Sequence, residues 1–225
     1  MMEDIKLFQV YYDEETKKEL DPQCTPYFNQ KCNKYFENQV IVDIYDAGLM
    51  SDCRFFGILS WRAKHKIGKL PDIREIINSN SKYDYYYFAL NVAHPWREIN
   101  EISGDHTTFT ELILEKMGWK ANLTTMKMHS VFFNYQICKT ELYREYVATF
   151  LKPFMQLLET SDIKELQEWL LENCRYIRPL KPLSEEKLIE ICGVPYYPKN
   201  TFITERLFAT YASLKGWRGK TMPVL

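Results

Sequence analysis

Three short stretches of this 225-residue chain are apolar almost without a break, at 55–60, 83–91 and 131–138. Each is rich in β-branched and aromatic residues and too short for a full helix, so each reads as a buried strand. A fourth, 5–12, reads as the first strand and is broken by the acidic turn Asp13-Glu14-Glu15. Strands this apolar belong inside a sheet covered by helices on both faces. The predicted sheet therefore contains 6–11, 55–60, 85–90 and 131–138. Asn134 is polar inside the last of these and needs a partner or a ligand.

The chain is organised around 131–159, where the period changes. After Thr140, a predicted N-cap, Leu142, Tyr143, Tyr146, Val147, Phe150, Leu151, Phe154, Leu157 and Leu158 recur at helical spacing. Arg144, Glu145, Thr149, Lys152, Gln156 and Glu159 take the other face, so the segment is an amphipathic helix laid on a core. Pro153 lacks an amide hydrogen and should kink it or restart it.

Elsewhere the pattern is shorter. Residues 20–34 hold Pro22, Pro26 and no period, and read as a long loop. Residues 35–50 mix Val40-Ile41-Val42, which suits a strand, with Phe36, Val40, Ile44 and Ala47 at helical spacing; the helix reading is taken, ended by Gly48. Asp72 opens a short helix, 107–117 forms another, and 90–96 reads as a loop. Ser161 and Ser184 are predicted caps of two more helices. The last clear element is a helix over 204–215. Strands alternate with helices and then give way to helices alone. That predicts one α/β domain over 1–225, its 160–225 part mostly helical.

Composition narrows the function classes. A net charge of -1 argues against nucleic acid as the partner. Aromatics at 15% suit sugar or nucleotide stacking and also large cores. The six cysteines form no Cys-x-x-Cys pair and no zinc spacing, and read as reduced thiols of a cytoplasmic protein. With no apolar signal core and no spanning run, the expectation is a soluble chain, at most peripheral to a membrane. Glycine-rich phosphate loops, a nucleophile elbow and Asp-x-Asp are all absent.

Four places could carry chemistry. Tyr11-Tyr12-Asp13 closes the first strand, where ligands collect in α/β sheets; a solvated acidic turn is the plain alternative for Asp13. Ser60-Trp61-Arg62 follows the second strand. There Arg62 could pair with phosphate and Trp61 could stack on a base or sugar, beside the basic run Lys64, His65, Lys66 and Lys69. Asn91, His94, Asp105 and His106 follow the third strand as acid–base candidates, weak metal ligands or simple loop residues. Thr204-Glu205-Arg206 opens the last predicted helix. Glu205 there either complements the helix dipole or works on a substrate as a base.

Three of these segments form a set: Phe56-Gly57-Ile58-Leu59-Ser60-Trp61-Arg62; the run from Asn134-Tyr135 through Ile137 and Lys139 to Tyr143, Tyr146, Pro153, Leu158 and Glu159; and Phe202-Ile203-Thr204-Glu205-Arg206-Leu207-Phe208. With the start Phe8-Gln9-Val10-Tyr11-Tyr12, the set resembles bacterial glycosyltransferase-like proteins found with capsular and surface polysaccharide genes. The resemblance implies a GT-A-like fold (nucleotide-diphospho-sugar transferase-like), a mixed central sheet flanked by helices. It implies a nucleotide-sugar donor and a glycan or lipid-linked acceptor. Tyr11 and Tyr12 would lie near the nucleotide, Ser60, Trp61 and Arg62 would border the donor, and Glu205 and Arg206 would face the reaction centre. Asn91, His94 and Asn134 complete the expected substrate-binding set. Mg or Mn could accompany such a donor, but the Asp-x-Asp that usually holds it is missing, so no metal ligand is assigned. A sugar- or nucleotide-binding protein that keeps the fold without the chemistry is the alternative.

Overall fold

The structure is a computed structural model and describes residues 3–30, 32–50, 52–88, 94–131, 134–174 and 183–223. A mixed sheet contains β1 (Glu3–Tyr11), β2 (Thr25–Phe28), β3 (Cys53–Ser60), β4 (Tyr85–Phe88), β5 (Gln136–Lys139) and β6 (Gly219–Met222). Their order is β2-β1-β3-β5-β4-β6. β5 runs antiparallel to β3 and β4, and the other pairs are parallel. The helices are α1 (Glu14–Lys17), α2 (Glu37–Asp46), α3 (Ala63–Ile67), α4 (Ile73–Ser79), α5 (Pro95–Ser103) and α6 (Thr108–Lys116), followed by α7 (Thr140–Tyr146), α8 (Lys152–Thr160), α9 (Lys164–Leu170), α10 (Glu185–Cys192), α11 (Lys199–Thr204) and α12 (Leu207–Leu214).

Alternation along the strands builds two cores, because successive side chains leave a strand on opposite faces. Phe8, Val10, Phe56, Ile58, Tyr85, Tyr87 and Cys138 enter the larger one, with α2, α7, α8 and the C-terminal helices. Ile5, Leu7, Phe55, Leu59, Tyr86, Phe88 and Ile137 enter the smaller, closed by Ala63, Ile67, Ile73 and Ile77 of α3 and α4. The expected central strand at 85–90 is therefore an inner strand buried on both faces, β4 between β5 and β6. Residues 89 and 90 lie outside the described set.

Several elements differ from the pattern reading, each for a physical reason. The 20–34 loop contains β2, an exposed edge strand that tolerates Pro26 and carries no apolar alternation. β5 begins at Gln136 rather than 131, because Asn134 turns the chain at φ 59°. Of that predicted strand, 132 and 133 lie outside the described residues. Thr140 is the first helical residue, not the cap; its hydroxyl lies 3.2 Å from Cys53 Sγ. Ser161 is not the cap of α9, which is Ile163. Residues 95 and 96, the end of the stretch read as loop, instead begin α5, with Pro95 in its first turn. The helical C-terminal part also returns a strand, β6, to the sheet.

The break expected at Pro153 takes the form of a π-helical turn over Val147–Leu151. The Lys152 amide reaches back five residues to the Val147 carbonyl. Proline cannot supply the amide that Thr149's carbonyl would take in an α-helix, and a widened turn is one way to absorb that. The turn presents Phe150 to Tyr211, with ring centres 4.8 Å apart, so the central helix locks onto α12.

Gly57 shows how tightly the sheet's middle is built. It pairs with Leu7 on β1 and Ile137 on β5. A Cβ there would sit 2.8 Å from both of those side chains and 3.1 Å from the Gln136 carbonyl. Gly57→Ala should therefore destabilise the fold by about 1–3 kcal/mol, the usual cost of overpacking. Urea unfolding of the variant measures it; a midpoint equal to that of the native chain would show that the strands yield freely.

Candidate functional site

The sheet's connectivity selects one place for a ligand. From β1 the chain goes to β2 on one side and then returns to β3 on the other. The carboxyl ends of β1 and β3 are thus a switch point, where parallel sheets leave a crevice. A cleft lies there. Its lining includes Tyr12 and Asp13 after β1, Ser60, Trp61 and Arg62 after β3, and Lys66 of α3. Phe36 and Glu37 at the start of α2, and Tyr197, Thr201 and Glu205 around α11, also line it.

Five of the residues expected at the site therefore meet: Tyr12, Ser60, Trp61, Arg62 and Glu205. Ser60 is buried and holds the turn, its hydroxyl 3.0 Å from Tyr135 Oη and accepting the Arg62 amide at 3.2 Å. The Arg62 guanidinium lies over the Trp61 ring, 4.8 Å from its centre. Burial first, and then the charge of Glu37, keep the Tyr12 phenol well above its ordinary pKa, so it remains a hydrogen-bond donor. Asp13 forms a capping box with Thr16, accepting its amide at 2.7 Å, so the plain reading of Asp13 describes much of its role.

Glu205 is 8% exposed and does not sit in the first turn of a long helix as predicted. The predicted 204–215 helix begins later, as α12 at Leu207, and a separate helix, α11, precedes it; Glu205 caps the C-terminus of α11 and immediately precedes Arg206, the N-cap of α12. Opposing helix ends meet at Glu205, so the dipole argument for it fails. Its place is set by a neighbour instead. Asn38 Nδ2 donates to Thr204 Oγ1 at 3.1 Å, both residues buried, which fixes α2 against α11. Glu37 and Glu205 flank that bond, one residue from each partner. Glu37 was missed in the sequence because it is far from Glu205 along the chain. Its one signal was the pair Tyr35-Phe36 entering a helix after an irregular stretch.

The remaining expected residues lie elsewhere. Tyr11 faces away from the cleft, as strand alternation requires of Tyr12's neighbour; its ring meets Phe28 at 5.3 Å and lies beneath Lys17 Nζ. Arg206 is buried and gives Nε to the Pro95 carbonyl and Nη1 to that of Phe202, at 2.9 and 2.7 Å, a clamp between α5 and α11 and a correction to the expected place at the reaction centre. His94 is the N-cap of α5; its Nδ1 accepts the Arg97 amide and its Nε2 lies 3.0 Å from the Met126 carbonyl. Asn134 occupies the left-handed turn before β5, which asparagine tolerates better than most residues. Asn91 lies outside the described residues.

The water-accessible interior of the cleft is about 80 Å³. Sites for drug-sized ligands run about 300–1,000 Å³, so the interior takes one group of such a ligand while the rest lies on its open flank. A larger concavity of about 620 Å³ lies over α6, between Phe109 and Trp119, and carries none of the expected site residues. Among the described residues no three His, Cys, Asp or Glu side chains come together to hold a metal ion. Among the described residues no helix is long and apolar enough to cross a membrane. All six cysteines are free thiols. The chain matches no protein-family model, no curated protein and no solved structure.

His106, an acid–base candidate, is fully buried. Its Nδ1 lies 2.8 Å from the Gly104 carbonyl and its Nε2 3.2 Å from Cys174 Sγ. Burial pushes the imidazole down to about 4 and the Cys174 thiol up to about 12, so the pair is neutral and structural. In the unfolded chain the same imidazole takes its proton near pH 6.5. As the pH falls from 7, the unfolded state binds that proton first and stability drops, by about 2 kcal/mol at pH 5 from this group. Unfolding free energies of the native chain and His106→Gln at pH 7 and 5 should differ in slope by that amount; parallel slopes would mean that the ring titrates normally.

Proposed function

We propose that the chain is a glycosyltransferase with a GT-A-like fold. It transfers a sugar from a nucleotide-sugar donor to a glycan or lipid-linked acceptor, in surface polysaccharide synthesis on the cytoplasmic side. The carrying observation is the cleft at the β1/β3 switch point, which joins Tyr12, Ser60, Trp61, Arg62 and Glu205 from three distant parts of the chain. A mixed sheet flanked by helices on both faces also agrees with the reading.

The chemistry follows from the side chains. Arg62 and Lys66 meet the donor's phosphates and take up the charge that grows on the diphosphate as its bond to the anomeric carbon breaks. Trp61 offers a face to a base or sugar ring. The acceptor hydroxyl forms the new bond to the anomeric carbon, and Glu205 takes its proton. A protein that binds sugar or nucleotide without turnover is the second reading, favoured by the narrow interior.

Thermal-shift measurements with a panel of nucleoside diphosphate sugars test both, since a ligand of the folded state raises its melting temperature. A rise with at least one of them, together with transfer to an acceptor glycan, is the expected result. A rise without transfer favours the second reading, and no response to any of the panel removes both.

Two variants separate the roles. Arg62→Ala should weaken donor binding by about 1.5–3 kcal/mol, the worth of a charge-assisted bond, without unfolding the protein; unchanged affinity by calorimetry takes Arg62 out of the site. Glu205→Gln should lower turnover about 10²–10⁴-fold with nearly unchanged stability. Near-normal turnover would leave Glu205 a structural residue.

A further inference from the structure

Taking the cleft as a nucleotide-sugar site, we propose that its interior is a sugar-ring subsite. Glu37 and Glu205 build it, and it admits neutral or amino-bearing rings and rejects uronates. The interior holds one group of the donor, and its charges decide which. Its cations, Arg62 and Lys66, both come from the segment after β3, while Glu37 comes from α2 and Glu205 from the end of α11. With Asp13, three carboxylates face two cations. A diphosphate placed among the carboxylates would be repelled, so it belongs at the Arg62–Lys66 end.

The hydrogen-bonding capacity gives the same answer. Asp13 Oδ1 is engaged by the Thr16 amide and hydroxyl, at 2.7 and 2.9 Å. Glu37, which already shares a hydrogen bond with the Tyr12 side chain, and Glu205 supply the other carboxylates, and a carboxylate only accepts hydrogen bonds, with room for several. The group opposite them must donate, as sugar hydroxyls do and an ammonium does more strongly. The Trp61 ring in the same lining suits the apolar face of a pyranose. The Asn38–Thr204 bond holds together the helix ends that carry the two glutamates. Glu205, 8% exposed, lies where water screens a like charge poorly. A uronate would bring its carboxylate into that place.

The test is calorimetry with UDP-glucose, UDP-glucosamine and UDP-glucuronate, alongside NMR titration of methyl glucoside, glucosamine and glucuronate followed at the Trp61 indole. The glucuronate conjugate should bind at least tenfold more weakly than the glucose conjugate, and the glucosamine conjugate at least as tightly as glucose. Glu37→Gln should narrow the glucose-to-glucuronate ratio at least fivefold, and Glu37→Asp, which keeps the charge, should preserve it. Equal affinity for glucose and glucuronate in the native chain, or a ratio unmoved by Glu37→Gln, overturns the subsite and leaves the nucleotide-sugar reading standing. If no conjugate binds but the free sugars shift the indole in the same order, the subsite stands and the nucleotide-sugar reading falls. Silence from both sets of probes overturns both.

Discussion

A strand covered on both faces has no side chain to spare for a ligand. β1 and β3 send their aliphatic and phenylalanine side chains into one or other of the two cores, and Gly57 is there because even a methyl group would collide with Leu7 and Ile137. Polar chemistry can begin only where each strand leaves the sheet. For β1 that is Tyr12, and for β3 it is Ser60 onward. The site is thus a by-product of burial: the sheet's middle is closed, and its edge at the switch point is the first place where a phenol, an indole and a guanidinium can share space with solvent.

The other wall of the cleft is held at some cost. Phe36 has φ 47° and ψ -123°, an unusual backbone for a phenylalanine, worth roughly 1–3 kcal/mol of strain. Its surroundings over-determine it. Tyr35 donates its hydroxyl to Glu159 at 2.7 Å, Asn38 bonds Thr204, and the Phe36 ring packs 6.0 Å from Tyr197. The bonds of Tyr35 and Asn38 run to α8 and α11. The central helical segment, already locked to α12 through Phe150, thereby also steadies the entrance of α2 that carries Glu37.

Much of this could be read from the chain, and the failures have causes. Apolar runs disclosed β1, β3 and β4 because burial on both faces leaves a strong mark. β2 and β6 left none, being edge strands with exposed residues. The strand ends pointed to Tyr12, Trp61 and Arg62, since topology alone puts ligands there. Reading Tyr11 with Tyr12 ignored alternation, and reading Arg206 with Glu205 ignored that adjacent helical residues point apart. Periodicity started the last helix too early, at Thr204, because Thr204, Leu207, Phe208 and Tyr211 keep helical spacing across the break between α11 and α12. The partnership of Glu37 with Glu205 rests on a tertiary hydrogen bond, which no local pattern encodes.

The widened turn at Val147–Leu151 also has a bearing on length. A π-turn houses one residue more than an α-turn, so this segment behaves as an insertion that the helix swallowed without looping out. Removing a residue there would restore regular winding at a rotational price: each α-helical residue advances about 100°, so everything downstream would revolve by that angle. Phe154 and Leu158 would swing off the large core, and Glu159 would swing away from Tyr35. A one-residue change in spacing at the molecule's centre would reach the mouth of the cleft as torsion.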